Sequence, residues 1–511
     1  MKNFSLILVL LFLTNEHLLP QTTYKVGDSQ TYTSIGAVPW ESLVAGDSVK
    51  IYWRNIPYKE KFVVNCVGQQ DKWITITGIP NALGKLPIID GMDATTRSEL
   101  NFWGEQRGVI KIGGSNIPSD GKTEYIRLGN LEIKFGRSAY SFMGRNGMTQ
   151  YSDNAAAIYL EKGENILIKN CILTNCGNGF FASGESKSIV LEGCYLYGNG
   201  NISSIYQHNS YTETESITFQ FNHFGPLLLG ASGNNLKDRS AGTIIRYNWV
   251  EGGNRQLDLV DSDKPDIYGS AAYKSTYVYG NILIEPDGAG NRQICHYGGD
   301  SGNESFYRKG KLFFFNNTIV STRNNTTTLL RLSTNNESAD CFNNIIYVTA
   351  PGENLTLLDS YGVLNIKNNW IKENYQGSFE LQGSINDLGG NISGNLPGFI
   401  NMETQDFQLL NTSDCLNKGT PGPLDHPVSN EYVKHQQAKG RSISGLIDLG
   451  AFEYSLPTRV ERFKMSEILV FPNPAHHNVQ IICPENILRI SILDRSGRDR
   501  KSTRLNSSHV S

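Results

Sequence analysis

The feature that most constrains this fold is a short apolar pattern that recurs nine times between residues 126 and 371. Each copy has hydrophobic residues five and three positions before an index residue, and another two positions after it. Of these 27 positions 25 are hydrophobic and two are Thr, whereas a composition that is 39% hydrophobic would fill about 10 of them. The index residues are Leu131, Cys171, Cys194, Asn222, Asn248, Asn281, Asn317, Asn344 and Asn369.

This pattern predicts stacked coils. Residues two apart lie on one face of a strand, and the third apolar residue points inward after a bend. A single coil cannot bury its apolar face, so the coils must stack on one another. Asn tolerates left-handed backbone, and stacked Asn side chains can satisfy one another's amides, so we expect the index column to form both the bend and a ladder. The sequence therefore predicts an all-β, right-handed parallel β-helix.

The repeat and the segments around it resemble the right-handed β-helix family of carbohydrate-active proteins, roughly over residues 24–456. The stretches 44–49 and 74–76 resemble its opening coils, and 397–399 and 448–454 resemble the segment that closes it. We expect the β-helix to occupy residues 22–456.

Both ends of the chain carry other signals. Lys2 followed by the apolar run 6–13 is typical of a signal peptide, which we place at residues 1–21. The stretches 470–475 and 490–498 resemble the C-terminal sorting domain of type IX secretion, here truncated, at 457–500. Residues 501–511 resemble translated adapter sequence. We expect a secreted or cell-surface monomer whose tail binds the type IX machinery.

The charge and the apolar runs of the sequence argue against nucleic-acid binding and against a membrane-spanning segment. The net charge is −3 with no basic block, so nothing favours nucleic acid. The longest apolar run is far shorter than a bilayer span, so we expect no transmembrane segment.

Polar and charged residues concentrate between the coils indexed by Asn222 and Asn281. Because coils stack, equal offsets from the index column predict spatial neighbours. Tyr211 and Lys237 share one offset and Glu213 and Arg239 share another, so each pair should lie close together.

The segment 234–239, followed by 245–248 and 253–255, is similar to the Lys and Arg arrangement of polysaccharide lyase family six. The resemblance implies that Lys237 is the base that removes the proton alpha to a uronate carboxylate, and that Arg255 is the acid. A lysine base needs its pKa lowered from about 10.4 to about 7–8. Arg239 or Arg246 would push in that direction and would stabilise the charge on the substrate.

The chain departs from that family at its calcium ligands. Acidic ligands precede the lysine there, but residues 230–234 contain no carboxylate. Calcium is the cofactor that the resemblance implies, and Asp258, Asp261 and Asp263 are the alternative donors, because hard cations bind clustered oxygens. The other interpretation is a solvated acidic turn with no cofactor.

Other chemistries stay open. His208 can act as the base with Tyr211 as the acid, and Tyr206 can stack on sugar rings. A hydrolase would need two carboxylates, and Glu213 with Asp258 is the pair that the sequence offers. The sequence thus predicts a polysaccharide lyase that cleaves an acidic glycan by β-elimination, with a non-catalytic glycan-binding or adhesive β-helix as the alternative. A lyase requires these side chains to converge in one open groove, whereas in an adhesin they would be dispersed or paired.

Overall fold

The computed structural model describes residues 21–455 in full, and beyond them the backbone of four short strands between residues 469 and 504. Residues 1–20 and the side chains after 455 are not described. The signal peptide lies outside the described residues, and of the predicted type IX sorting domain only the backbone of these strands is described, so both stay predictions. The chain consists of two compact units, 1–454 and 455–511.

The chain from 23 to 394 winds into a right-handed parallel β-helix. Each coil passes through three sheets in turn, which we name sheets 1, 2 and 3. Sheet 1 contains Glu60–Val64, Gly108–Ile112, the first halves of Ala156–Lys169 and Asn178–Glu192, Ser210–Thr212, Leu236–Asp238, Leu257–Leu259, Gln293–Tyr297, Thr327–Leu332 and Leu355–Leu358.

Sheet 2 holds the first two apolar residues of each repeat, and sheet 3 holds the third. Sheet 2 contains Thr23–Val26, Ser48–Tyr52, Ile74–Ile79, Glu124–Gly129, the second halves of the two long strands, Ile217–Gln220, Thr243–Arg246, Ser275–Tyr279, Lys311–Phe315, Ser338–Phe342, Val363–Lys367 and Ser384–Asp387. Sheet 3 contains Ile88–Asp90, Glu132–Lys134, Ile172–Thr174, Tyr195–Tyr197, His223–Phe224, Trp249–Glu251, Ile282–Glu285, Thr318–Ser321, Ile345–Val348, Trp370–Lys372 and Ile392–Gly394.

The predicted column is confirmed. All 27 patterned positions are buried, and the side chain of each index residue from Cys194 to Asn369 accepts a hydrogen bond from the backbone N–H of the index residue before it. Asn391 extends this ladder by one further coil, because its Oδ1 lies 3.0 Å from the backbone nitrogen of Asn369.

The position of the bend differs from the prediction. The left-handed residue is the one before the index residue, with φ between +50° and +66° in all nine coils. These residues are Asn130, Asn170, Gly193, Phe221, Tyr247, Gly280, Asn316, Asn343 and Asn368. The index side chain is therefore free of the strained backbone position and points into the core, where it forms the ladder.

The remaining elements lie outside the coils. Thr95–Thr96 and Ser141–Gly144 with Gly147–Gln150 flank the early coils, and the helices are single turns, at Ile35–Ala37, Trp40–Ser42, Glu105–Arg107, Pro265–Tyr268, Ala271–Lys274 and Gly352–Asn354. The strands Leu469–Phe471 with Gln480–Ile482 and Arg489–Leu493 with Asp499–Arg504 pair in the second unit.

Residues 397–454 form a strap along the outside of sheet 3. The strap contains two hairpins, Phe399–Asn401 with Asp406–Leu409 and Asn430–Val433 with Gln437–Gly440. It packs on Trp249, Ile345 and Trp370. The segment predicted to close the β-helix therefore covers its flank.

Candidate functional site

The site is built on one outward-facing file of sheet 1. In-register pairing places Tyr211 beside Lys237, Lys237 beside Asp258, and Asp258 beside His296. The strands that carry these residues are only three to five residues long, so stacking of the coils sets the alignment. The neighbour relation predicted for Tyr211 and Lys237 is confirmed.

This file forms the floor of an open groove with a volume of about 730 Å³. Loops that enter sheet 1 make one wall, which includes Asp153, Ile205, Tyr206, Gln207, Asn234 and Arg255. Loops that leave sheet 1 make the other wall, which includes Arg239, Asp300 and Ser301. His208, Tyr211, Lys237 and Asp258 lie between the walls.

Lys237 is held between two carboxylates. Its Nζ lies 2.7 Å from Asp258 Oδ2 and also donates to Asp300 Oδ2. Because both carboxylates contact one ammonium group, their oxygens lie close to each other. Burial opposes the charge on Asp300, but Lys237 and Arg239 together hold the pKa of this carboxyl below its ordinary value. Asp300 was not predicted from the sequence, because it comes from the loop between sheets 1 and 2 and has no counterpart at the same offset in other coils.

Asp258 contacts His296 and Arg255 as well as Lys237. Its Oδ1 accepts from His296 Nδ1 at 2.9 Å and lies 3.8 Å from an Arg255 nitrogen. Burial alone would raise the pKa of the Asp258 carboxyl, but the hydrogen bond from His296 and the charge of Lys237 hold it well below its usual range. His296 is fixed on its other side, where Nε2 lies 2.9 Å from Ser333 Oγ. Asp258 is therefore an oriented, ionised carboxylate.

Arg255 and Arg239 line opposite walls. Arg255 donates through two nitrogens to Gln293 Oε1 at 2.7 and 3.0 Å. Arg239 donates from Nε to the Tyr211 hydroxyl oxygen at 3.0 Å and from a terminal nitrogen to Asp300 Oδ1 at 2.8 Å. Since the Tyr211 oxygen accepts from Arg239, its own hydrogen is available to another partner.

His208 is neutral in this environment. Its Nδ1 accepts from the backbone N–H of Asn234 at 2.9 Å, and its ring meets the Tyr211 ring edge-on at 5.5 Å. Burial, followed by the positive charge of Lys237, lowers the pKa of His208 to about 3.

Tyr206 is the most exposed aromatic residue of the groove. Tyr206 is 72% exposed on the wall made by the loops that enter sheet 1. Its ring is therefore open to a ligand.

Two of the residues predicted to bind substrate, Arg246 and Glu213, do not line the groove. Arg246 belongs to sheet 2, where it donates to Gln220 Oε1 at 2.7 and 2.9 Å. Glu213 and Arg239 follow paired positions of adjacent coils, but Glu213 accepts from Ser262 Oγ at 2.6 Å, and the ion pairs of Arg239 are with Asp261 and Asp300. The groove therefore holds Asp258 beside Asp300, and it does not contain the pair that a hydrolase would need, Glu213 with Asp258.

The three aspartates proposed as calcium donors do not form one site. Asp258 binds Lys237, Asp261 accepts from the backbone N–H of Asp300 at 2.7 Å, and Asp263 is an exposed partner of Lys264. Among residues 21–455, no group of three His, Cys, Asp or Glu side chains is arranged to hold a metal ion. The donor set predicted for calcium does not fit the ion.

The sequence matches no protein-family model and no curated protein. The fold is similar to an alginate lyase from Paenibacillus sp. str. FPU-7, at 10% identity and a TM-score of 0.45 over 72% of this chain and 99% of that one. It is also similar to pectate lyase Pel9A, at 11% identity and a TM-score of 0.48 over 86% and 98% of the two chains. The surface protein and adhesin PfbA of Streptococcus pneumoniae matches at 12% identity and a TM-score of 0.41, over 68% and 89%.

At these identities the likeness concerns the fold alone. Within the described residues, none of the helices is long and apolar enough to span a bilayer.

Proposed function

We propose that this protein is a polysaccharide lyase that binds a uronate-containing chain in the groove of sheet 1 and cleaves it by β-elimination. The observation that carries the proposal is the convergence of Tyr211, Lys237, Arg239 and Arg255, from three adjacent turns of the chain, in one open groove. An exported protein with this groove would meet extracellular glycans.

The reaction needs two proton transfers and a means of stabilising charge. A base removes the proton on the carbon alpha to the carboxylate, a carbon–carbon double bond forms, and the glycosidic oxygen leaves and takes up a proton. Cations beside the carboxylate stabilise the negative charge that develops on it. Arg239 and Arg255, on opposite walls, are suited to that task.

Tyr211 and Lys237 are the proton-transfer pair that the geometry favours. A base accepts a proton, so Tyr211 must enter the reaction as the phenolate, its hydroxyl proton having passed to solvent, and the guanidinium of Arg239 that donates to its oxygen faces that charge. Lys237 meets the groove as an ammonium ion bound to two carboxylates, which suits it to donate a proton to the leaving oxygen. Lys237 is thus proposed as the acid, whereas the family resemblance implies that it is the base and Arg255 the acid. His208, with a pKa of about 3, is a weak base and supports the Tyr211 ring.

The test is incubation with a panel of uronate polymers while the ultraviolet absorbance of the unsaturated product is followed. Tyr211→Phe keeps the ring and removes the hydroxyl, so we expect the rate to fall by about 100-fold or more. Tyr159→Phe is the matched control, because Tyr159 belongs to the same file two coils earlier and lies outside the groove. Absence of product with every polymer, or an unchanged rate for Tyr211→Phe, would contradict the proposal.

A second candidate is a glycan-binding protein without catalysis. It is favoured by the pairing of the charges, since Lys237 and Arg239 are bound to carboxylates and Arg255 to Gln293. The same panel distinguishes the two candidates, because a binding protein would retain a polymer and release no unsaturated product.

A further inference from the structure

The two ends of the groove differ in charge. The cations that line it, Lys237, Arg239 and Arg255, all belong to two adjacent coils. The opposite end carries Asp153, whose carboxylate makes no ion pair with any residue of 21–455. From the coil of Asp153 to that of Arg255 the groove crosses four coil steps, or about 19 Å at about 4.8 Å each.

The end near Asp153 presents an apolar surface beside the polar floor. Ile205 and Tyr206 line the groove there and are 57% and 72% exposed. Their loop is held in place, because the Ser203 backbone N–H donates to Gly230 O at 2.8 Å and Asn201 Nδ2 donates to Asp153 O at 2.9 Å. An ordered loop that exposes two large apolar side chains in a groove indicates a binding surface.

Two buried amide oxygens lie between this surface and Lys237. Gln207 Oε1 and Asn234 Oδ1 have no hydrogen-bond partner among the described residues, although the two residues are only 4% and 6% exposed. A carbonyl oxygen accepts hydrogen bonds, so the partner that it lacks is a donor. Sugar hydroxyls are donors, whereas an ionised carboxylate only accepts.

We infer that residues 205–207, with Asn234, form a subsite for an uncharged sugar ring, and that Asp153 lies farther along the same groove. This inference deepens the proposed function and rests on it for the identity of the chain in the groove. The apolar face of the ring lies on Tyr206 and Ile205, and its hydroxyls donate to Gln207 and Asn234. A uronate ring is disfavoured here, because its carboxylate would meet two acceptor oxygens, and a uronate farther along the groove would approach Asp153.

The adjacent ring of the same chain then lies over Lys237. The strand after Tyr206 and the strand of Lys237 are neighbours in sheet 1, so one step along the groove passes from the uncharged subsite to the cationic floor. The ligand that fits both is a polysaccharide in which an uncharged sugar is joined to a uronate, in preference to a chain made of uronate alone.

The test measures binding, which does not depend on cleavage. In a Tyr211→Phe background, calorimetry compares a tetrasaccharide of uronate alone with one in which uronate alternates with an uncharged hexose. We expect the alternating ligand to bind at least tenfold more tightly. Tyr206→Ala should weaken that binding at least tenfold, and Asp153→Asn should improve binding of the uronate-only ligand.

Leu229→Ala is the matched control. Leu229 is a 93% exposed apolar residue on the neighbouring loop and does not line the groove, so its loss should change neither affinity. The inference is overturned if the uronate-only ligand binds as tightly as the alternating one, if neither ligand binds, or if Tyr206→Ala and Leu229→Ala behave alike. If the preference holds but no polymer is cleaved, the subsite stands and the lyase proposal fails.

Discussion

The asparagine ladder gives the sharpest test of the fold, through Asn281→Ala. Asn281 is fully buried. Its Oδ1 accepts from the backbone N–H and the side-chain amide of Asn248, at 2.9 and 3.0 Å. Its Nδ2 donates to Ile245 O at 2.9 Å and to Asn317 Oδ1 at 3.0 Å.

Truncation removes all of these hydrogen bonds together. The buried N–H of Asn248 loses its acceptor, which costs about 1–3 kcal/mol, and the other hydrogen bonds contribute about 1 kcal/mol each. We therefore expect Asn281→Ala to lower the free energy of unfolding by about 4–6 kcal/mol. Asn386→Ala is the matched control, because its exposed amide makes one hydrogen bond, to Asn365 at 2.9 Å, and its loss should cost less than about 1 kcal/mol.

A third variant tests the cause of the loss. Cys occupies the same column at Cys194, whose Sγ accepts from the backbone N–H of Cys171 at 3.4 Å. Asn281→Cys keeps this weaker acceptor, so its stability should lie between the wild type and Asn281→Ala. Urea unfolding followed by circular dichroism gives the differences from the midpoints and the mean slope. If Asn281→Ala loses no more stability than Asn386→Ala, the ladder does not stabilise the coils.

Three further predictions concern buried charges. Arg308→Met should destabilise the protein by about 3–5 kcal/mol in urea unfolding, since it leaves Asp238 buried without its cation; a loss below about 1 kcal/mol would contradict this. His208→Leu should remove an acid sensitivity. The folded pKa of about 3 lies below the unfolded value of about 6.5, so the unfolded chain binds a proton at this group first as the pH falls. The wild type therefore loses up to about 2 kcal/mol of folding stability from this group between pH 6.5 and 5, and His208→Leu does not. Equal losses in the wild type and His208→Leu would refute the assignment. Burial lowers the pKa of Lys61 to about 7, so the unfolded chain binds more protons between pH 7 and 10.5 and stability should rise with pH there. Lys61→Met should flatten that rise in thermal unfolding, and an unchanged slope would show that Lys61 is not its source.

The coil pattern could be predicted from the sequence because each repeat is local and all coils obey one alternation. The backbone bend could not be placed. Phe221 and Tyr247 adopt the left-handed conformation with φ of +56° and +54°, although aromatic residues seldom do. The favourable contacts of the stacked turns, such as the parallel packing of these two rings at 5.4 Å, outweigh the local preference.

The candidate site could be predicted where a short strand carries the residue. Tyr211, Lys237 and Asp258 fall in strands whose register is fixed by stacking. Arg246 was misplaced because its strand belongs to sheet 2, which is turned away from the groove. Asp300 was missed because a loop brings it to Lys237, and no spacing rule describes how a loop folds back.

The strap on sheet 3 changes how the solenoid should unfold. In a simple stack each turn contacts only its neighbours, so stability is a sum of local terms and the ends can fray one turn at a time. Here residues 397–454 contact turns from Trp249 to Trp370, and Tyr247 accepts from the backbone N–H of Ser429, 182 positions along the chain. Several turns are thereby tied to one distant segment, so they should melt as a single cooperative block, and the flank under the strap cannot be completed until that segment has been synthesised.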